Sequence, residues 1–509
     1  MRPARSPLPV ACLATLLVLN FSASACPSPV DSENEAQAPT DEASHGVTAA
    51  AQPPSATDPA ASPSPESSVT LPWETTHALV EDPALRAAVD LLATFPAIES
   101  ARIGSGGDPS EAHAAFRAVV DLASPVRQLA LLRHESPVVR GYLLEHVLPT
   151  QPVEDDLLRA LLADETAVPG QIGCILGTGS IASRSVEALC RAASDAEHVP
   201  DALERAARWA RPDPLQARAV VCLASRDAPL AVSLALPRLD APDPQVRRQA
   251  VSALILADAS EHIGRIAPLA RDADHLVRAT VATALGRLGG DRDALVALTR
   301  DEEGYVRQLA GSALVPLPDV DTSLLETLLA DPVPRVRHGV ARQMAEHGVE
   351  LALVEAMLLQ PRVDGRIMQT LAVRDEPDLV SMMRRLADAE HHYVRERALD
   401  WLGEHGDISD LPRLRDGLRD ATIGARRVAA EALARRGDTE AIPLLHTMLR
   451  EDENPHGRIA AAGALLVLEA DTGRQAVERA ASVEPAGWAR TILLDLLREH
   501  EPPVDLQAD

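Results

Sequence analysis
The stretch Asp272-Ala273-Asp274-His275-Leu276-Val277-Arg278-Ala279-Thr280-Val281-Ala282-Thr283-Ala284-Leu285-Gly286-Arg287-Leu288-Gly289-Gly290 places an acid six residues before an arginine. A valine stands just before that arginine, an apolar residue seven after it and a glycine eleven after it. The same arrangement returns on both sides. Arginines stand at Arg218, Arg247, Arg278, Arg307, Arg337, Arg366, Arg395, Arg426, Arg458 and Arg490, with gaps of 29 to 32 residues. Acids precede them by six positions at Asp301, Asp331, Asp420, Asp452 and Glu484, and glycines follow at Gly348, Gly406 and Gly437. A fixed period of this length is the mark of a stacked solenoid.

Each period reads as a turn holding the acid, a helix opened near the arginine, and a glycine whose left-handed conformation ends it. Between that glycine and the next acid lies a second helix. In Ala441-Ile442-Pro443-Leu444-Leu445-His446-Thr447-Met448-Leu449 the apolar residues follow helical spacing. Pro412 and Pro443 fall near helix starts, where a missing N–H costs little. Each unit of about thirty residues is therefore a helical hairpin.

These residues resemble the HEAT-like repeats of the type also seen in phycobilisome lyases, whose signature is an acid followed six residues later by Val-Arg and then a small, apolar face. The resemblance implies an all-α chain, an α-solenoid of two-helix repeats. Its register is regular over 214–500. Over 72–213 it is degenerate, with Asp121 and Val126-Arg127, then Val139-Arg140, as remnants, and no landmark is placed between about 170 and 210. The unit at Arg366 has Gly365 for the valine and Gln360 for the acid, so it is expected to pack less regularly.

Composition narrows the chemistry. The 49 basic residues are all arginine, which excludes a P-loop lysine or a Schiff-base lysine. A formal charge of -26 opposes binding to nucleic acid or anionic lipid. With 2% aromatic residues, the interior must be filled by alanine, leucine, valine and isoleucine, as thin stacked helices allow. No catalytic, cofactor-binding or metal-ligating set emerges. Cys26, Cys174, Cys190 and Cys222 match no zinc or redox spacing, so the last three read as buried small hydrophobes, with one disulfide of unspecified pairing left open.

The N-terminus reads as an export signal over 1–25, with Arg2 and Arg5 ahead of an apolar run too short to span a bilayer. Ala23-Ser24-Ala25 suits ordinary cleavage. Ser24-Ala25-Cys26 resembles the end of a bacterial lipobox, which makes Cys26 the expected lipidated residue and the cell envelope the expected location. From 26 to 71 the chain is rich in Pro, Ala, Ser and acids, a composition that cannot bury enough surface to fold and reads as a linker. A short tail, 501–509, closes the sequence.

Several strings imitate functional motifs. Gly177-Thr178-Gly179-Ser180-Ile181-Ala182 has the spacing of a dinucleotide fingerprint, but that motif needs a preceding strand and a second, parallel one, so a glycine-rich break between repeats is expected. Arg436-Gly437-Asp438 contains a helix-ending glycine. His347 and His405 read as helix-end histidines. Glu390-His391-His392 lacks a further ligand at chelating spacing, and Asp319-Val320-Asp321-Thr322-Ser323 lacks the glycine and glutamate of a calcium loop.

The HEAT-like resemblance implies binding or scaffolding, with a protein or peptide held along the solenoid. A lyase-like accessory enzyme acting on a chromophore or protein, and an architectural envelope protein without a ligand, are the alternatives. The expected contacts are polar residues assigned to the second helices: Arg248, Gln249, Gln308, His338, Glu396, Arg427 and Arg435. Asp272 with Arg278, Asp301 with Arg307, Asp331 with Arg337, Asp420 with Arg426 and Asp452 with Arg458 are expected to form a turn-to-helix ionic ladder that sets the stacking.

Overall fold
The computed structural model describes residues 82–500 apart from 104–106, 174, 194, 361–362 and 375–378. The expected signal, the linker, the tail, Cys26 and Cys174 lie outside the described residues. The chain forms two compact units, one ending at Arg265 and the other beginning at Ile266.

In the second unit the arginine helices include His275–Leu288, Gly304–Leu314, Pro334–His347, Arg366–Ala372, His392–His405, Ile423–Arg435, Pro455–Leu468 and Trp488–Glu499. They alternate with return helices such as Thr322–Leu329, Leu379–Leu386, Leu411–Gly417 and Ile442–Glu451. Successive arginine helices pack on one another, and return helices pack against them, so two helical layers enclose one core. The apolar residue seven after the arginine is buried in most repeats: Leu285, Leu314, Met344, Leu402, Leu433 and Leu465 are fully buried, whereas Val373, seven after Arg366, is 83% exposed. Small residues let the helices close up. A Cβ on Gly403 would lie 2.4 Å from the Ala432 methyl, and one on Gly286 would lie 2.6 Å from that of Ala313.

Helix ends follow the periodic glycine at Gly289, Gly348 and Gly437, whose φ values of 74°, 69° and 68° are left-handed. Gly406 departs from that expectation. Its backbone is extended, and its Cβ position would lie 2.4 Å from the Leu402 carbonyl oxygen, because the chain passes directly into a short turn capped by Asp407. At the corresponding place eleven residues after Arg247, Asp258 takes the left-handed conformation instead (φ 53°). Helix starts are capped by short acceptors, as where Asp274 accepts from the N–H groups of Leu276 and Val277.

The first unit is also mainly helical, and its helices Pro137–Val147, Ile181–Arg191, Val199–Trp209, Asp213–Leu223 and Pro244–Leu256 stack in sequence. It holds one four-stranded sheet that an all-helical reading does not contain. The strands are β1 (Ile98–Ile103), β2 (Asp108–Pro109), β3 (Ala167–Gly173) and β4 (Ile175–Ser180), ordered β2-β1-β3-β4. β1 and β3 run parallel, and the other pairs are antiparallel. Ile98 and Val168 bury their side chains, and the Tyr142 hydroxyl pins β1 to the helix beneath by accepting from the Glu99 N–H at 2.7 Å and donating to the Glu99 carbonyl. This sheet explains why no repeat landmark is found near 170. Gly177 and Gly179 lie inside β4 rather than in a break between repeats, and β4 forms a hairpin with β3, so no strand-loop-helix cradle for a dinucleotide exists there. A disulfide joins Cys190 to Cys222 and ties Ile181–Arg191 to Asp213–Leu223.

Candidate partner-binding surface
The ladder arginines bind in two directions. Arg278 donates through Nη1 to the backbone carbonyls of Asp272 and Ala273, at 2.9 and 3.2 Å, in its own turn. Through Nε and Nη2 it donates to both carboxylate oxygens of Asp301, at 2.7 and 2.8 Å, in the following repeat. Arg307 does the same to Asp331, Arg395 to Asp420, Arg426 to Asp452 and Arg458 to Glu484. The acid six residues before an arginine thus contributes its carbonyl, and its carboxylate serves the arginine of the preceding repeat. This corrects the pairing expected within one turn. The spacing to the next acid, 23 to 26 residues, lies across a return helix and is invisible to a reading of one motif at a time.

The four aspartates are also held by their own turns, as where Asp301 accepts from the Glu303 N–H and Asp331 from that of Val333. Burial alone would push Asp301, Asp420 and Asp452 up. The arginine hydrogen bonds, the backbone donors and the nearby positive charge outweigh it, hold all three below the usual carboxylate range, and bring Asp420 to about 2. Asp331 is lowered chiefly by its bond from Arg307.

A matching rung occurs in the degenerate region. Arg140 donates to the carbonyls of His134 and Glu135 and pairs with Asp164 at 2.7 Å, with side chains only 2% and 6% exposed. A second set of rungs runs from the return helices. Arg384 pairs with Asp410, Arg415 with Asp438, and His446 meets Glu469 at 2.8 Å. The 31-residue spacing of Arg384, Arg415 and His446 was the available signal for it.

The expected contact residues do not lie on the return helices. All seven stand on arginine helices, because the residue following the ladder arginine continues the helix that the turn opens. The second unit brings Glu396 and Arg427 within 3.5 Å, and Arg427 also pairs with Glu431. Arg435 reaches Asp400 at 3.4 Å, and Asp400 pairs with Arg397 at 2.9 Å. Gln308 and His338 sit on neighbouring helices, with the Gln308 stem over Gly339, where a Cβ would come within 2.6 Å. The Gln308 Oε1 and His338 Nε2 atoms are buried without a hydrogen-bond partner, as is Gln249 Oε1 in the first unit. Burial pushes the His338 imidazole pKa down; Asp364 opposes that shift, and Arg337 and Arg366 reinforce it. Sequence reading passed over Tyr305 and Tyr393, which stand two residues before ladder arginines. The Arg335 guanidinium lies 5.6 Å from the Tyr305 ring centre, and the Tyr393 hydroxyl accepts from Gln369.

The other strings have structural uses. Gly437 ends a helix, and Asp438 is buried against Arg415. The His405 ring stacks on Trp401, with Nδ1 3.1 Å from the Trp401 carbonyl. His391 and His392 stack on each other, and among the described residues no group of three or more His, Cys, Asp or Glu is placed to hold a metal ion. Asp321 caps the helix Thr322–Leu329.

The chain matches the family model for HEAT repeats over residues 232–315 and 414–498. A search of curated proteins gives no match. Among solved structures, Kap95p bound to RanGDP is similar at 12% identity and a TM-score of 0.46, over 83% of this chain and 62% of that one. Importin beta, crystallised in ammonium sulfate, is similar at 12% identity and a TM-score of 0.45, over 81% and 61%. Human deoxyhypusine hydroxylase with glycerol is similar at 23% identity and a TM-score of 0.22, over 53% of this chain and 96% of that one. The chain spans about three fifths of the length of the first two.

Proposed function
Because the chain carries HEAT repeats, we propose that it is a binding scaffold, and that a protein or peptide partner lies across the outward face of its arginine helices. One observation carries this reading. Buried polar atoms without hydrogen-bond partners stand one residue after the ladder arginine on two neighbouring helices, at Gln308 and His338. A buried polar atom left unpaired costs roughly 1–3 kcal/mol, and a partner whose docking turns these side chains outward would relieve that cost. Export and lipid attachment at Cys26 belong to the same proposal. The Cys190–Cys222 disulfide supports it, since such bonds persist in oxidising compartments.

A photo-crosslinking residue placed at Gln308, compared with one at Arg300, tests the surface. The scaffold reading expects a saturable partner from position 308 and none from 300; the same products from both positions would contradict it. Mass spectrometry of the mature N-terminus tests the anchor, and an unmodified Cys26 on a freely released product would remove it.

A further inference from the structure
One rung of the ladder is open. The Arg337 guanidinium is anchored like its equivalents, with Nη1 donating to the carbonyls of Asp331 and Pro332 at 2.7 and 3.2 Å. In five other repeats of this unit that anchoring aims Nε and Nη2 at a carboxylate of the next repeat. After Arg337 the acid position is held by Gln360, and among the described residues no carboxylate meets this arginine. Arg337 is partly exposed, and its Nε is not among the buried unpartnered atoms, so the fork is reachable from outside. The next candidate acid, Asp364, is engaged by the Arg366 side chain through three bonds at 3.0 Å or less.

The surroundings favour an anion. Arg335, Arg337 and Arg342 lie on the one helix Pro334–His347, beside His338, against Glu346 as its single acid. The equivalent faces of His392–His405 and Ile423–Arg435 are neutralised internally by Glu396, Asp400 and Glu431. Within a chain of formal charge -26, this helix carries a local excess of positive charge, and the acids that face it, Asp331 and Asp364, are paired with Arg307 and Arg366.

We infer that the open fork of Arg337 is a carboxylate-binding site, and that it takes an Asp or Glu side chain from an acidic, extended segment of the partner. A planar guanidinium held by two carbonyls is pre-oriented for a bidentate carboxylate, so the entering group meets the geometry that the other rungs display. This assignment rests on the scaffold reading only in naming a partner as the source of the carboxylate.

The test uses the full chain and a fluorescein-labelled peptide of alternating Asp and Ser, against the same peptide with Asn for Asp. The expected result is binding of the Asp peptide by wild type at least about tenfold tighter than the Asn peptide, with that preference erased by Arg337→Gln. Gln360→Asp is the decisive variant, because it fills the fork from within: the preference disappears while the melting temperature rises. A preference that survives Gln360→Asp overturns the site. If wild type shows no preference but gains one when the seven acids of 26–71 are changed to amides, the occupant is the chain's own linker, and the assignment to a partner falls. No preference in either protein overturns the site altogether. If the partner crosslinked through position 308 binds Gln360→Asp unchanged, this inference fails and the scaffold reading stands.

Discussion

At the scale of single residues, the most regular side chains do structural work. Arg307 and Asp331 are 14% and 8% exposed and hold each other through two bonds, so removing one partner strands the other. Arg307→Ala is expected to lower stability by about 3 kcal/mol while leaving the affinity of the folded protein for its partner unchanged, as calorimetric melting and a binding titration would show. The carboxylates also set an acid limit. The folded pKa values of Asp301, Asp331, Asp420 and Asp452 lie below the unfolded ones, so their stabilisation is complete above about pH 5, where the unfolded carboxyls are ionised. It is lost as pH falls towards the folded value, about 2 for Asp420. For Asp420 the difference corresponds to roughly 2 kcal/mol. Asp420→Asn should therefore flatten the acid-unfolding curve between about pH 4 and 2, and an unchanged curve would argue against the rung.

At the scale of helices and strands, close approach sets the repeat geometry. A Cβ at Gly403 would meet Ala432 at 2.4 Å, so Gly403→Val must push two arginine helices apart and should cost about 1–3 kcal/mol, read from denaturant midpoints at constant slope. At a helix end, Asp258 holds a left-handed conformation that glycine adopts freely, and Asp258→Gly should stabilise by up to about 1 kcal/mol. The arginine helices were legible because each landmark lies within one helical hairpin and repeats. The sheet was not. β1 must find β3 some seventy residues away, β4 is built around Gly177, Thr178 and Gly179 with little β-branched character, and a helical period elsewhere in the chain argues for more of the same. The candidate contacts were legible as residues but misplaced by element, since the helix following the arginine was not separated from the one returning to the next acid.

At the scale of the whole molecule, a repeat array is stable through interfaces between neighbours, and here five ladder arginines of the second unit form part of the next interface. The second unit has rungs from Arg278 to Asp331 and from Arg395 to Glu484, with Gln360 and Ala389 at the two acid positions between. That interruption leaves the Arg337 fork without a carboxylate from the following repeat among the described residues. In the first unit, the Cys190–Cys222 link bridges helices 32 residues apart, and its reduction should lower that unit's stability by about 2–4 kcal/mol in a denaturant titration. A double-mutant cycle on Arg307 and Asp331 measures the forward pairing of the rungs directly. The expected coupling between these residues of successive repeats is about 1–3 kcal/mol, and additive effects, within about 0.3–0.5 kcal/mol, would contradict forward pairing.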